Sequence, residues 1–132
     1  MPITALYAGL LAPILVYLAV RVISQRRAAR VAIGHGEDAI LLRRMRVHAN
    51  FAEYVPMALV LMGLAENLKT TPILLYAMGI TLLVGRVLHA YGVSQPKENL
   101  NLRVTGMTLT FAALMMGSIF CLAAALGFPI RL

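Results

Sequence analysis

Three polar residues share one face of the second long apolar segment of this chain. Arg46, Asn50 and Glu53 are spaced by four and then three residues, so on a helix their side chains project from the same side. A guanidinium, an amide and a carboxylate in this arrangement could bind a ligand that carries both negative and positive groups. An amide and a carboxylate inside the first turns of a membrane helix are costly unless they meet partners, which indicates a functional site.

Four apolar segments must position these residues. They cover about residues 3–23, 47–65, 73–93 and 104–128, and each is close to the roughly 20 residues that a helix needs to cross the hydrocarbon core. The chain has 132 residues, of which 61% are hydrophobic and only 13% charged, which is little charge for a soluble domain. The sequence therefore predicts an all-α integral membrane protein, with residues 1–132 forming a single four-helix bundle.

The positive charge is distributed as membrane topology requires, not as nucleic-acid binding requires. The formal net charge is +7, and seven of the twelve basic residues lie between Arg21 and Arg46. The connection between the third and fourth spans carries Lys97 and Arg103, whereas the connection between the second and third holds only Lys69. Because basic loops stay in the cytoplasm, both termini are expected outside. In a bacterium this membrane would be the inner membrane, and lipid, not nucleic acid, is the expected partner.

The first span is expected to be an anchor and not a cleavable signal peptide. No basic segment precedes its apolar run, and Arg21 and Arg26 follow it as a stop-transfer flank. The lone Cys121 cannot form an intramolecular disulfide, and no Cys/His spacing resembles a zinc site. No metal is therefore predicted.

This topology brings polar residues from all four spans to the cytoplasmic side at a similar depth. They are Arg21, Arg26, Asn50, Glu53, Arg86, His89 and Arg103. Guanidinium groups grip carboxylates in bidentate fashion, and Glu53 would suit an ammonium group. A small peptide with two carboxylates and one amine fits this inventory, and glutathione is the abundant cytosolic example. A cation near its sulfur would stabilise the reactive thiolate.

Each of these residues also has a structural interpretation. The arginines between residues 21 and 30 serve equally well as topology determinants. Glu53 could pair with Arg46 or Arg86 to hold the bundle together, and His89 could form a hydrogen bond between helices.

The chain resembles the MAPEG family, the membrane-associated proteins in eicosanoid and glutathione metabolism. The pattern Arg46-x-x-x-Asn50-x-x-Glu53-Tyr54-x-Pro56 resembles the family signature of the second helix. Residues 23–31 are similar to the basic end of the first helix in leukotriene-forming members. Residues 85–92 are similar to the third-helix motif of the prostaglandin-forming and bacterial members. The resemblance extends over essentially the whole chain.

The resemblance implies a homotrimer with glutathione as cofactor in a cleft between adjacent subunits, open to the cytosol. The glutathione-binding residues that it implies are Arg26, Arg46, Asn50, Glu53, Tyr54, Arg86 and His89. It also implies that Arg103 is the catalytic residue, which stabilises the thiolate. This chain departs from the family pattern at Val93, where several members have tyrosine, and at Ala49, where the prostaglandin synthase has arginine.

Three functions are consistent with these features. The leading hypothesis is a glutathione-dependent membrane enzyme of the transferase or peroxidase type, which acts on lipophilic electrophiles or lipid hydroperoxides that arrive through the bilayer. The second is a non-enzymatic membrane scaffold that binds glutathione or another anion. The third is a small multidrug-type exporter, which is disfavoured because such proteins carry a glutamate in the first helix and this chain has no acidic residue before Glu37.

Overall fold

Four long helices make up the chain in a computed structural model that describes residues 1–95 and 97–128. Helix α1 spans Pro2–Ala29, α2 spans Ala39–Asn67, α3 spans Pro72–Ser94 and α4 spans Leu100–Ala125. Each helix is long and apolar enough to cross a membrane. For the described residues, the prediction of an all-helical chain with four helices of membrane-spanning length and composition is therefore confirmed.

The helix limits differ from the predicted spans where polar residues continue a helix or glycine ends one. Helix α1 continues beyond residue 23 to Ala29, and α2 begins at Ala39 instead of residue 47, so most of the basic segment is helical. Helix α4 ends at Ala125, short of the predicted residue 128. Gly127, at a φ of 83°, follows in the left-handed conformation that commonly terminates helices.

The connection between α1 and α2 is held by side chains that bind the backbone. Asp38 Oδ1 accepts a hydrogen bond of 2.9 Å from the Leu41 N–H and so caps the first turn of α2. The Arg26 guanidinium donates to the carbonyl oxygens of Ala32, at 3.3 Å, and Gly34, at 2.8 Å. These contacts fix the loop at the end of the bundle where α1 and α3 end and α2 and α4 begin, which we call the arginine-rich end.

The opposite end of the bundle is fixed by Glu66, near the end of α2. Its carboxylate accepts hydrogen bonds from the N–H of Ile3 at 3.0 Å, and from the N–H and the hydroxyl of Thr4 at 2.8 and 2.7 Å. The first N–H groups of a helix have no partner within it, so Glu66 satisfies two of those of α1. Nearby, the Tyr7 hydroxyl donates to the Tyr76 carbonyl at 3.1 Å, which ties α1 to α3.

Helices α2 and α3 form the centre of the bundle, and α1 and α4 each pack against both of them. Buried apolar residues from all four helices build one core, including Leu11, Leu18, Phe51, Val55, Met62, Leu75, Met78, Leu82, Ala113 and Phe120. The most extensive packing joins α3 and α4. Gly85 and Gly106 make it possible, because a Cβ added at Gly106 would lie 2.7 Å from the Gly85 carbonyl oxygen. This close approach sets the distance between the polar residues of α3 and the start of α4.

Candidate functional site

A cavity of about 480 Å³ opens between α2, α3 and α4 at the arginine-rich end. Its lining residues are Ala39, Leu42, Arg43, Arg46, Ala49, Asn50, Glu53, His89, Val93, Glu98 and Arg103. The volume is within the range of small-molecule sites. Seven of these residues are polar or charged, while the alanine, leucine and valine residues supply apolar surface.

The cavity brings together five of the residues that the sequence predicted for the site. These are Arg46, Asn50, Glu53, His89 and Arg103. The other three, Arg26, Tyr54 and Arg86, are absent from the lining. Helical spacing explains the α2 wall, since Arg46, Asn50 and Glu53 occupy successive turns of one face.

Arg86 lies behind the cavity wall, with 1% of its surface exposed. Its Nη1 donates to the side-chain Oδ1 of Asn50 at 2.7 Å and approaches the Asn50 carbonyl oxygen at 3.4 Å. Its Nη2 lies 3.4 Å from the Met107 sulfur, and its Nε is buried without a hydrogen-bond partner. In this arrangement Arg86 orients Asn50 and does not reach the cavity.

Tyr54 lies next to Arg86 and is half-buried. Its ring packs edge-on against Phe111 of α4 at 5.5 Å between centroids, and the Arg86 guanidinium carbon lies 5.9 Å from the centre of the Tyr54 ring. This is within the distance of a cation–π interaction. Tyr54 therefore joins α2 to α4 and also contacts the Arg86 guanidinium.

Arg26 is directed to the loop between α1 and α2. Besides its two carbonyl partners there, its Nη2 lies 3.4 Å from the sulfur of Met45. The sequence placed Arg26 at the correct end of the bundle, but the loop contacts hold its guanidinium away from the cavity lining.

Charge within the cavity is mixed. Three arginines, Arg43, Arg46 and Arg103, line it together with the carboxylates of Glu53 and Glu98. Arg103 Nη1 and Glu98 Oε1 are 2.7 Å apart, with 49% and 30% of the two side chains exposed. Across residues 1–95 and 97–128 this is the one ion pair within 4 Å, so the alternative pairing of Glu53 with an arginine does not form.

Glu98 was not predicted from the sequence as a residue of the site. Glu98 lies in the connection before α4, where no helical periodicity fixes the direction of a side chain. Two contacts of Asn99 turn this connection back toward the bundle. The Asn99 N–H donates to the Gly92 carbonyl at 3.1 Å, and its Oδ1 caps α4 by accepting from the Leu102 N–H at 3.1 Å. An Asn immediately before an apolar run was the available cap signal.

His89, on α3, lines the cavity although only 5% of its surface is exposed. Its backbone is covered by α4, because a Cβ at Gly106 would lie 2.5 Å from the His89 nitrogen. The absence of a side chain at Gly106 therefore lets α4 cover the α3 backbone while the His89 ring still faces the cavity.

The fold and the cavity define a class of protein: a four-helix membrane protein with a polar cavity at one end of the bundle. Residues 4–123 match the sequence profile of the MAPEG family, and the chain belongs to that family. It is similar to "Inner membrane protein YecN" of Escherichia coli K12, with 36% identity over 114 residues that cover 86% of each chain. YecN of Escherichia coli O6:H1 gives the same identity and coverage. The family resemblance of the sequence is thus confirmed, and the relatives' printed name places them in the inner membrane.

Proposed function

We propose that this protein is a glutathione-dependent membrane enzyme of the transferase or peroxidase type. Its second substrate would be a lipophilic electrophile or a lipid hydroperoxide that enters from the bilayer. The observation that carries the proposal is the composition of the cavity, where three guanidinium groups, two carboxylates, an amide and an imidazole surround about 480 Å³. Glutathione offers two carboxylates, one ammonium group and one thiol to such a set.

Each charged or polar group of glutathione can be assigned to a residue of the cavity. Arg43 and Arg46 would bind its carboxylates, since arginine forms bidentate pairs with them. Glu53, which lacks an ion-pair partner in the described chain, would bind the ammonium group. The Asn50 amide N–H would donate to a carbonyl or carboxylate oxygen. Arg103, at the start of α4, would lie near the sulfur and act as the catalytic residue by stabilising the thiolate.

Two reactions follow from a bound thiolate. In a transferase reaction the sulfur forms a bond to an electrophilic carbon, and the leaving group departs or the electron pair moves onto an acceptor that is then protonated. In a peroxidase reaction two glutathione molecules are oxidised to a disulfide, while the hydroperoxide is reduced to an alcohol and water. A cation at the sulfur favours both, because the thiolate is the nucleophile in each.

We also propose that the protein forms a homotrimer and that its cavity faces the cytoplasm. A homotrimer would place a neighbouring subunit beside the open side of the cavity, and the exposed Arg46 and Glu53 are the residues that it would cover. Native mass spectrometry would give the subunit number.

The basic residues at the arginine-rich end support a cytoplasmic site with both termini outside. An impermeant thiol reagent applied to intact cells should label a cysteine introduced at the exposed Lys69 but not at the exposed His35, in a Cys121→Ser background.

The test of the catalytic proposal is glutathione titration of the detergent-purified protein while the ultraviolet thiolate band is recorded. The wild-type protein should bind saturably and show the band near neutral pH, and Arg103→Ala should lose the band. Arg27→Ala is the matched control, because Arg27 is an exposed arginine of α1 outside the cavity. An Arg103→Ala protein with an unchanged band would contradict the catalytic role.

A non-enzymatic anion-binding protein is the second candidate, and two observations favour it. Glu98 already neutralises Arg103 at 2.7 Å, so the charge that would activate a thiol is engaged within the chain. Val93 also lines the cavity at the position where several family members have tyrosine. Saturable glutathione binding without a thiolate band, in wild type and variants alike, would identify this function.

A further inference from the structure

A second cationic group lies outside the cavity, where α1, α2 and α3 meet at the arginine-rich end. Arg21 Nη1 donates to the Ser94 hydroxyl at 2.9 Å. Arg44 Nη1 in turn donates to the backbone carbonyl of Arg21 at 2.9 Å. Neither arginine lines the 480 Å³ cavity. The Arg44 side chain is thus anchored on the backbone of α1, and the Arg21 side chain is anchored on α3.

Neither of these two arginines forms an ion pair in the part of the chain that the structure describes. Within residues 1–95 and 97–128, no carboxylate oxygen lies within 4 Å of either guanidinium, and the Arg44 Nε is buried without a hydrogen-bond partner. Asp38 interacts electrostatically with Arg44 without forming an ion pair, and its carboxylate is already engaged by the Leu41 N–H and by Gln25 at 2.9 Å. A partly buried cation held only by neutral groups is stabilised when an anion completes its contacts.

The surface next to these arginines is apolar and exposed. The Arg21 guanidinium carbon lies 5.8 Å from the centre of the Tyr17 ring. Tyr17 is 62% exposed and Val20 is 55% exposed, on a helix long and apolar enough to cross the membrane. The exposed apolar surface of Tyr17 and Val20 therefore adjoins the Arg21 guanidinium.

We propose that Arg21 and Arg44 bind the phosphate of an anionic phospholipid headgroup, with an acyl chain lying along Tyr17 and Val20. Guanidinium groups present paired N–H donors that match phosphate oxygens. An arginine at the end of a membrane span reaches the headgroup level while its stem stays on apolar surface. Basic pockets between helices on the cytoplasmic side are suited to such headgroups. This site is independent of glutathione binding and of the proposed enzyme activity.

Native mass spectrometry of the detergent-purified full chain tests the proposal. The protein is titrated with phosphatidylglycerol and, separately, with phosphatidylcholine that has the same acyl chains. Wild-type protein should retain phosphatidylglycerol preferentially, and Arg44→Gln should weaken that binding about fivefold, as the loss of one headgroup cation implies. Ser94→Ala removes the hydroxyl that holds Arg21 and should weaken binding without a change of charge, which keeps the test decisive if Arg44→Gln does not fold.

Arg27→Gln is the matched control, since it removes the same charge from an exposed site on α1. Its binding should equal that of the wild type. Equal weakening in Arg27→Gln and Arg44→Gln would overturn the site in favour of diffuse attraction to a basic surface. Equal affinity for the two lipids would also overturn it. Displacement of the lipid by millimolar inorganic phosphate would identify a free-anion site, and cross-linking of Tyr17→Cys between copies would show that a second copy covers this face.

Discussion

Arg86 donates a 2.7 Å hydrogen bond from Nη1 to Oδ1 of Asn50. Because the amide oxygen is engaged by this bond, the Asn50 Nδ2 is the group that remains for the cavity. Asn50 thereby becomes a hydrogen-bond donor to whatever occupies the site, which suits a carboxylate or carbonyl oxygen. The sequence predicted that both residues bind glutathione, whereas the structure places Arg86 behind Asn50 and outside the cavity lining.

Asn50 variants should separate its structural role from its binding role. Asn50→Ala removes the charge-assisted hydrogen bond to buried Arg86 and should lower the free energy of unfolding by about 1.5–3 kcal/mol. Asn50→Asp keeps an acceptor for Arg86 and should stay closer to wild-type stability, yet it loses the amide donor and should bind glutathione more weakly. Thermal unfolding in detergent and glutathione titration measure the two effects. Equal stability of all three proteins would contradict the proposed contact.

Glu98→Gln should strengthen anion binding at Arg103. The 2.7 Å pair is partly exposed, with 49% and 30% of its side chains accessible, so its removal should change the free energy of unfolding by less than about 1 kcal/mol. The freed guanidinium should bind glutathione several-fold more tightly at low salt, and added salt should reduce the gain because it screens exposed charges. Titration of wild type and Glu98→Gln at two ionic strengths measures this.

The control for Glu98 is Glu37→Gln, which removes a carboxylate from the exposed loop between α1 and α2. It makes the same change in net charge at a position outside the cavity. An equal gain in affinity from Glu37→Gln would attribute the effect to overall charge. No gain from Glu98→Gln, with normal binding by the wild type, would refute competition by Glu98 while leaving the proposed glutathione function intact.

The sequence predicted which polar residues lie at the same end of the bundle, but it did not predict the direction or the partner of every side chain. The apolar blocks and the basic loops were enough to place Asn50 and His89 near the start of α4, because hydropathy and charge fix the depth of a residue. They do not fix rotation about a helix axis or the partner of a side chain, and Arg86 and Glu98 depend on both. Glu66 was missed for the same reason, since its partners lie on α1, far away in the sequence.

Asp38 should make the stability of the arginine-rich end depend on pH. The Leu41 N–H and, to a lesser extent, the Gln25 amide hold the pKa of Asp38 below its usual 3.8. A carboxyl group whose pKa is lowered by folding stabilises the folded state fully above the unfolded-state pKa. It loses that contribution as the pH falls through the folded-state value. Thermal unfolding of the wild type should therefore occur at a lower temperature on acidification below about pH 4.

Asp38→Asn is the appropriate comparison, because asparagine also caps helices well but does not titrate. Its melting temperature should be close to that of the wild type at neutral pH and should decrease less in acid. Asp38→Ala should melt at a lower temperature at both pH values, since it removes the acceptor for Leu41. An equal decrease of the melting temperature in acid for wild type and Asp38→Asn would assign the pH dependence to other carboxyl groups.

Gly106→Ala should separate α4 from α3 and disturb the cavity together with the fold. The added Cβ would lie 2.5 Å from the His89 nitrogen and 2.7 Å from the Gly85 carbonyl oxygen, and both atoms belong to a helix backbone that cannot yield locally. Overpacking of this kind costs about 1–3 kcal/mol.

Gly9→Ala is the matched control, because a Cβ there meets nothing within 4 Å, and alanine favours helix formation over glycine. Thermal unfolding should therefore show a large loss for Gly106→Ala and none for Gly9→Ala. Because His89 and Arg103 lie on the two helices that separate, the first variant should also lose glutathione affinity, and equal melting of the two variants would contradict the close α3–α4 contact.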